Sequence, residues 1–136
     1  MFVARAAGGG VVAMRMYLSS AYTMTSSMTM ITPMAADASY PGTVVTGNQL
    51  VVNASGTVNI TGNVQISANS FSTTETGAIF KNGTQLTSGT TSSTGGIALS
   101  SSAVAVNAGD VLDLRCSTGY SGTVAATTTY LLITPV

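Results

Sequence analysis

From residue 58 to residue 68 every even position except one is Val, Ile or Ala, and every odd position is polar or small. Val58, Ile60, Val64, Ile66 and Ala68 share one parity, with Thr, Asn and Gln opposite. That is a period of two, the signature of a β-strand with one buried face, and no helix can satisfy it. No other stretch supplies a helical stripe, so the fold class is all-β. Gly62 stands in the middle of the run, within Thr61-Gly62-Asn63, and reads as a turn, which makes the segment a hairpin.

The rest of the chain fits this pattern. A short strand is expected from Met14 to Leu18. Met28 and Met30 alternate with Thr29 and Ile31 up to Pro33. Asp37 to Gly42 reads as a loop turning at Pro41-Gly42. Val44-Val45 and Leu50-Val51-Val52 flank a turn at Gly47-Asn48. Ala78–Lys81 is followed by Asn82-Gly83, a strong hairpin signal. Ser88–Gly96 is polar and repetitive and reads as a loop. Ile97–Val106 is a strand turned by Ala108-Gly109-Asp110. Leu112, Leu114 and Cys116 form an inward row, with Asp113 and Arg115 facing out. Gly119–Gly122 is a turn, and Thr127–Thr134 closes the chain with apolar side chains on both faces at Tyr130, Leu131, Leu132 and Ile133. About eight to ten short strands at this spacing predict an antiparallel β-sandwich.

Composition then restricts function. Only 6% of the 136 residues are charged, against about a quarter in ordinary domains. There are four bases, four acids, no His, no Trp and one Cys. Ser and Thr fill 39 positions. General acid–base work, a cysteine nucleophile with its His, and zinc binding all lack their residues, so neither an enzyme nor a resident cofactor or metal is expected. Net charge is zero, which removes the long-range attraction that nucleic acid or an anionic membrane surface requires. No run reaches the 18 apolar residues of a membrane helix. A nearly uncharged, hydroxyl-rich surface favours self-association.

Individual candidates read as follows. Asp110 is expected to accept backbone amides in its turn rather than to pair with Asp113 in catalysis. Asn53, Asn59 and Asn82 each begin an Asn-X-Ser/Thr triplet, which this much Ser and Thr produces by chance. Cys116 is expected to be a buried thiol. Tyr17, Tyr22, Tyr40 and above all Tyr120 are candidate carbohydrate platforms. All seven Met precede residue 35, where adaptable contacts are needed. Residues 1–13 read as an arm jointed at Gly8-Gly9-Gly10, with Phe2, Val3, Arg5 and Arg15 as its partner-binding residues, and residues 14–136 as the domain.

Four segments in order carry a resemblance. Gly56–Ser67 is similar to the glycine-punctuated strand pair of the C1q/TNF-like jelly roll. Phe80-Lys81-Asn82-Gly83 resembles its hairpin. Val104-Ala-Val-Asn-Ala-Gly-Asp-Val-Leu-Asp-Leu114 resembles its strand–turn–strand, and Thr129-Tyr-Leu-Leu-Ile133 its closing strand. The resemblance covers residues 14–134. It implies a jelly roll that forms a homotrimer, with apolar strands around the three-fold axis and Tyr130–Ile133 among them. The aromatic content is lower than in that family. The size, the arm and the Ser/Thr/Gly/Ala-rich style also resemble small virion proteins of tailed bacteriophages. That likeness implies a capsid decoration (cement) protein on the outer surface of the virion, bound to the major capsid protein shell. The alternative it leaves is a receptor- or glycan-binding head domain of a tail fibre or minor tail protein, for which a host-surface glycan is one candidate partner.

Overall fold

A computed structural model describes residues 10–136. Two antiparallel sheets pack face to face. The first contains β1 (Met14–Leu18), β2 (Tyr22–Thr23), β4 (Met34–Ala36), β7 (Gly56–Asn69), β10 (Gly95–Val106), β12 (Gly122–Val124) and β13 (Tyr130–Pro135). The second contains β3 (Thr29–Met30), β5 (Val45–Thr46), β6 (Gln49–Val51), β8 (Glu75–Lys81), β9 (Thr84–Thr91) and β11 (Val111–Thr118). The all-β, antiparallel expectation holds. The described strands outnumber the expected eight to ten because two- and three-residue pairings at the sheet edges carry no periodic signal of their own.

β7 is the central element. The expected turn at Thr61-Gly62-Asn63 does not exist; the strand runs unbroken for 14 residues. One edge pairs with β10, and the other with β13 and then β12. The inward parity carries straight through Gly62, as a hairpin would not require. Gly62 is glycine because the opposite sheet comes close: a Cβ there would lie 3.2 Å from Leu114 Cδ2 and 3.4 Å from Ile79 Cδ1. Ala68, expected inward, is exposed, because the register with β12 shifts between Thr123 and Val124.

A second irregularity explains β10. Ile97 and Leu99 are buried at odd positions, whereas Val106 is buried at an even one. Between Ser101 and Val104 the register gains one residue. Ala103 takes φ 53° there, and its N–H is held by Asn59 Oδ1 at 3.0 Å. This bulge resets which face points inward.

The expected loop 88–96 is mostly strand. Thr84–Thr91 pairs along β8, leaving only Ser92–Thr94 as the connection to β10. Residues of β9 are largely exposed or half-buried. An edge strand facing water needs no apolar alternation, so its sequence resembles a loop. Asn82-Gly83 forms the turn before it, with both residues at positive φ (50° and 80°), as the favoured two-residue hairpin requires.

The core runs between the sheets. Met14, Met16 and Leu18 of β1, Leu131 and Ile133 of β13, and Leu112, Leu114 and Cys116 of β11 are all buried. Val11 joins them, so the chain is fastened to the sandwich from residue 11 onward. Phe2, Val3 and Arg5 lie outside the described residues.

Candidate binding surfaces

Among the described residues, every charged side chain but that of Glu75 is paired. Arg15 Nη1 lies 2.7 Å from Asp37 Oδ2, and its guanidinium sits 4.6 Å from the Tyr130 ring centroid. Ser39 N–H and the Arg15 side chain hold the Asp37 carboxyl below its usual range. Lys81 Nζ stands 3.9 Å from Asp110. Asp110 accepts the Asn107 N–H at 2.8 Å and Asn82 Nδ2 at 3.1 Å, which lower its pKa. It is the turn acceptor expected from the sequence.

Asp113 departs from expectation. Its parity is outward, but it is fully buried rather than solvated. Arg115 Nε reaches Oδ1 at 2.7 Å, and Gln49 Nε2 reaches Oδ2 at 2.9 Å. Arg115 also lies over the Phe80 ring at 4.2 Å. The bridge to Asp113 raises the guanidinium pKa further. Every base among the described residues is therefore matched to an acid, and the described surface has no free cationic patch.

Cys116 is wholly buried. Burial first, and the Glu75 charge second, push its thiol up to about 12. Glu75 is also buried. Thr118 Oγ1 donates to its Oε1, and its Oε2 has no hydrogen-bond partner among the described residues. Gly122 crosses directly over this carboxyl, where any Cβ would collide with Oε2.

Two surfaces remain as candidates for binding. The first is the outward face of the first sheet. The register sets Tyr17 opposite Tyr130 and Arg15 opposite Leu132. Alternation splits the doubly apolar strand: Leu131 and Ile133 enter the core, while Tyr130 and Leu132 stand half-buried on the outer face. Thr61, Asn63 and Gln65 of β7 continue that face, also half-buried. Its only formal charge on these strands, Arg15, is neutralised by Asp37.

The second surface is the end of the sandwich where β7 finishes and β8 begins. Tyr120 is 65% exposed and Phe71 is 81% exposed. Their rings meet edge to face, with centroids 5.1 Å apart and planes at 69°. Sequence reasoning singled out Tyr120 but missed Phe71. The available signal was a lone aromatic in the hydroxyl run Asn-Ser-Phe-Ser-Thr-Thr between two strands. Among the other tyrosines, Tyr17, Tyr22, Tyr40 and Tyr130 are half-buried, and Tyr22 is spoken for by a 2.8 Å hydrogen bond to Thr29. The described residues contain no cavity and no cluster of three metal-ligating side chains. No described helix is long and apolar enough to cross a membrane.

No protein-family model and no curated protein matches the chain. Solved structures do. It is similar to the Eiger TNF of S. frugiperda at TM-score 0.69 and 11% identity, over 94% of each chain. It is similar to murine APRIL at TM-score 0.62 and 13% identity, over 91% of this chain and 99% of that one. Bushbaby GITRL gives TM-score 0.54 and 17% identity, over 91% and 94%. Those likenesses, with two antiparallel sheets in the order described, make this chain a TNF-like jelly roll.

Proposed function

We propose that this chain is a structural virion protein: a homotrimeric capsid decoration protein on the outer surface of a phage head, bound to the major capsid shell. One observation carries the reading. The outer face of the first sheet offers Tyr17, Tyr130, Leu132 and uncharged amides and hydroxyls, with its lone Arg15 already neutralised. Such a face loses little on dehydration and gains roughly 25 cal/mol per Å² of apolar surface covered. The TNF-like fold supports a three-fold arrangement of these faces. A trimer then has three equivalent attachments to a symmetric shell, and linkage multiplies weak contacts into strong retention. The chemistry asked of the protein is mechanical, which suits a chain so poor in titratable groups.

A fibre-tip head is the second reading, favoured by the exposed aromatic pair at one end of the sandwich. Copy number separates the two. Quantitative gel or mass-spectrometric analysis of purified virions is expected to find hundreds of copies per particle. A handful of copies would overturn the decoration reading in favour of the fibre.

A further inference from the structure

We infer that the Phe71–Tyr120 pair is a preformed knob that seats in an apolar, uncharged hollow of a protein partner; this rests on the reading above, which makes the shell protein that partner. The site lies at the end of the sandwich opposite Val11. β7 runs from Gly56 to Asn69, and Val11 packs beside Gly56, whereas Phe71 follows Asn69. The jelly roll thus carries an anchor within its own described residues.

The pair is held out rather than left loose. Phe71 adopts φ 61°, a left-handed conformation that a bulky side chain rarely takes and keeps only when its surroundings enforce it. The surroundings do. Asn69 brackets the turn, its Nδ2 donating to Thr73 O at 2.9 Å and its Oδ1 accepting Thr73 N–H at 3.1 Å. Ser70 N–H reaches Ser121 O at 3.2 Å, and Gly119 N–H reaches Thr74 O at 2.9 Å, tying the two loops together. Tyr120 N–H is held by Thr118 Oγ1, which itself grips the buried Glu75. A contact group fixed in advance loses little entropy on binding.

Shape and charge identify the occupant. Both rings stand well out from the loops, Phe71 81% and Tyr120 65% exposed, so they form a projection that gives a small ligand little to enclose it. Planes 69° apart give no flat platform on which consecutive sugar rings could stack. Around the rings stand Ser70, Ser72, Ser121 and Thr74, all exposed and uncharged. Aromatic anchors within a hydroxyl rim match the centre and edge of a protein interface. A charge in the partner's hollow would be desolvated with nothing here to pair it.

The test uses the full-length protein and virions stripped of it. Phe71→Asn suits the backbone, because Asn tolerates positive φ, and Tyr120→Ser keeps the loop polar. Each variant, with melting temperature and circular dichroism unchanged, is expected to bind stripped particles about 30-fold or more weakly than wild type. Val44→Asn, at an exposed apolar position away from the tip, is expected to bind as wild type. Periodate oxidation of the particles, which destroys sugars, is expected to leave binding intact. Equal binding by the tip variants overturns this inference and leaves shell binding standing. Loss of binding after periodate overturns it in favour of a saccharide. Failure of the wild type to bind stripped particles overturns the decoration reading and the inference with it.

Discussion

Gly77 is a tight contact between the two sheets, and replacing it by Ala tests their packing. A Cβ at Gly77 would lie 2.9 Å from Val64 Cγ2, 3.2 Å from Val64 Cβ and 3.6 Å from Ile97 Cδ1. Turning the Val64 side chain relieves the first contact but not the second, because Cβ is fixed by the backbone and a β-branched residue has few rotamers. The sheets must separate locally. Overpacking of this kind costs about 1–3 kcal/mol. Reduced freedom of the unfolded chain returns about 0.4–1 kcal/mol. The net loss is about 1–2 kcal/mol, or roughly 3–8 °C in melting temperature at this size. Gly62→Ala provides the contrast. Leu114 Cδ2 at 3.2 Å and Ile79 Cδ1 at 3.4 Å are the ends of flexible side chains that can yield, but the Tyr130 carbonyl oxygen at 3.3 Å is backbone of the paired strand and yields less, so a loss smaller than at Gly77, about 1 kcal/mol or less, is expected. Urea unfolding followed by circular dichroism, at one fixed protein concentration because association adds to stability, measures both. Val64→Gly combined with Gly77→Ala, which removes both the Cγ2 and the Cβ contacts, is expected to cost about 1 kcal/mol less than the sum of the two alone. A Gly77→Ala protein as stable as wild type, or strict additivity in the double variant, would refute the sheet-to-sheet contact.

The remaining predictions concern the thiol, the sheet face and the arm. Cys116 is expected to react slowly with thiol reagents in the folded protein and fully after denaturation; rapid labelling of folded protein would put the wrong parity on β11. Its folded pKa of about 12 exceeds the ordinary 9.0, so the unfolded chain loses this proton first. The contribution to stability is intact below pH 9 and is lost as pH rises towards 12, and Cys116→Ala is expected to flatten that part of the pH profile. Leu132→Lys places a second positive charge opposite Arg15 on the outer face of the first sheet and is expected to yield folded monomers by gel filtration; an unchanged oligomer would move the interface elsewhere. Deleting residues 2–9 is expected to leave the melting temperature nearly unchanged while weakening binding to stripped particles about tenfold or more, and equal binding would assign attachment to the jelly roll alone.

How far the sequence carried the reading depended on which face of each strand meets water. Val58 to Ile66, Met14 to Leu18 and Leu112 to Cys116 alternate because one side is buried, and their strands were legible. β9 was not, since an edge strand rich in Thr and Ser has no apolar side to reveal it. Gly62 misled because glycine serves both a turn and a close approach, and only the opposite sheet, with Leu114 and Ile79, distinguishes them. Asp113 has the expected parity, but its burial depends on Gln49, 64 positions away, which no local pattern can show. The ion pair of Arg15 with Asp37 depends on β1 lying beside β4. At the aromatic tip, Tyr120 drew notice as a ring between glycines, while its pairing with Phe71 across 49 residues arises only from the meeting of two loops.

Self-association through the first sheet is the claim on which the functional account stands, and the mass of the native particle tests it most directly. Light scattering on purified protein at micromolar concentration is expected to give three times the 13.6 kDa chain mass. A stable, soluble species of 13.6 kDa under the same conditions would contradict it.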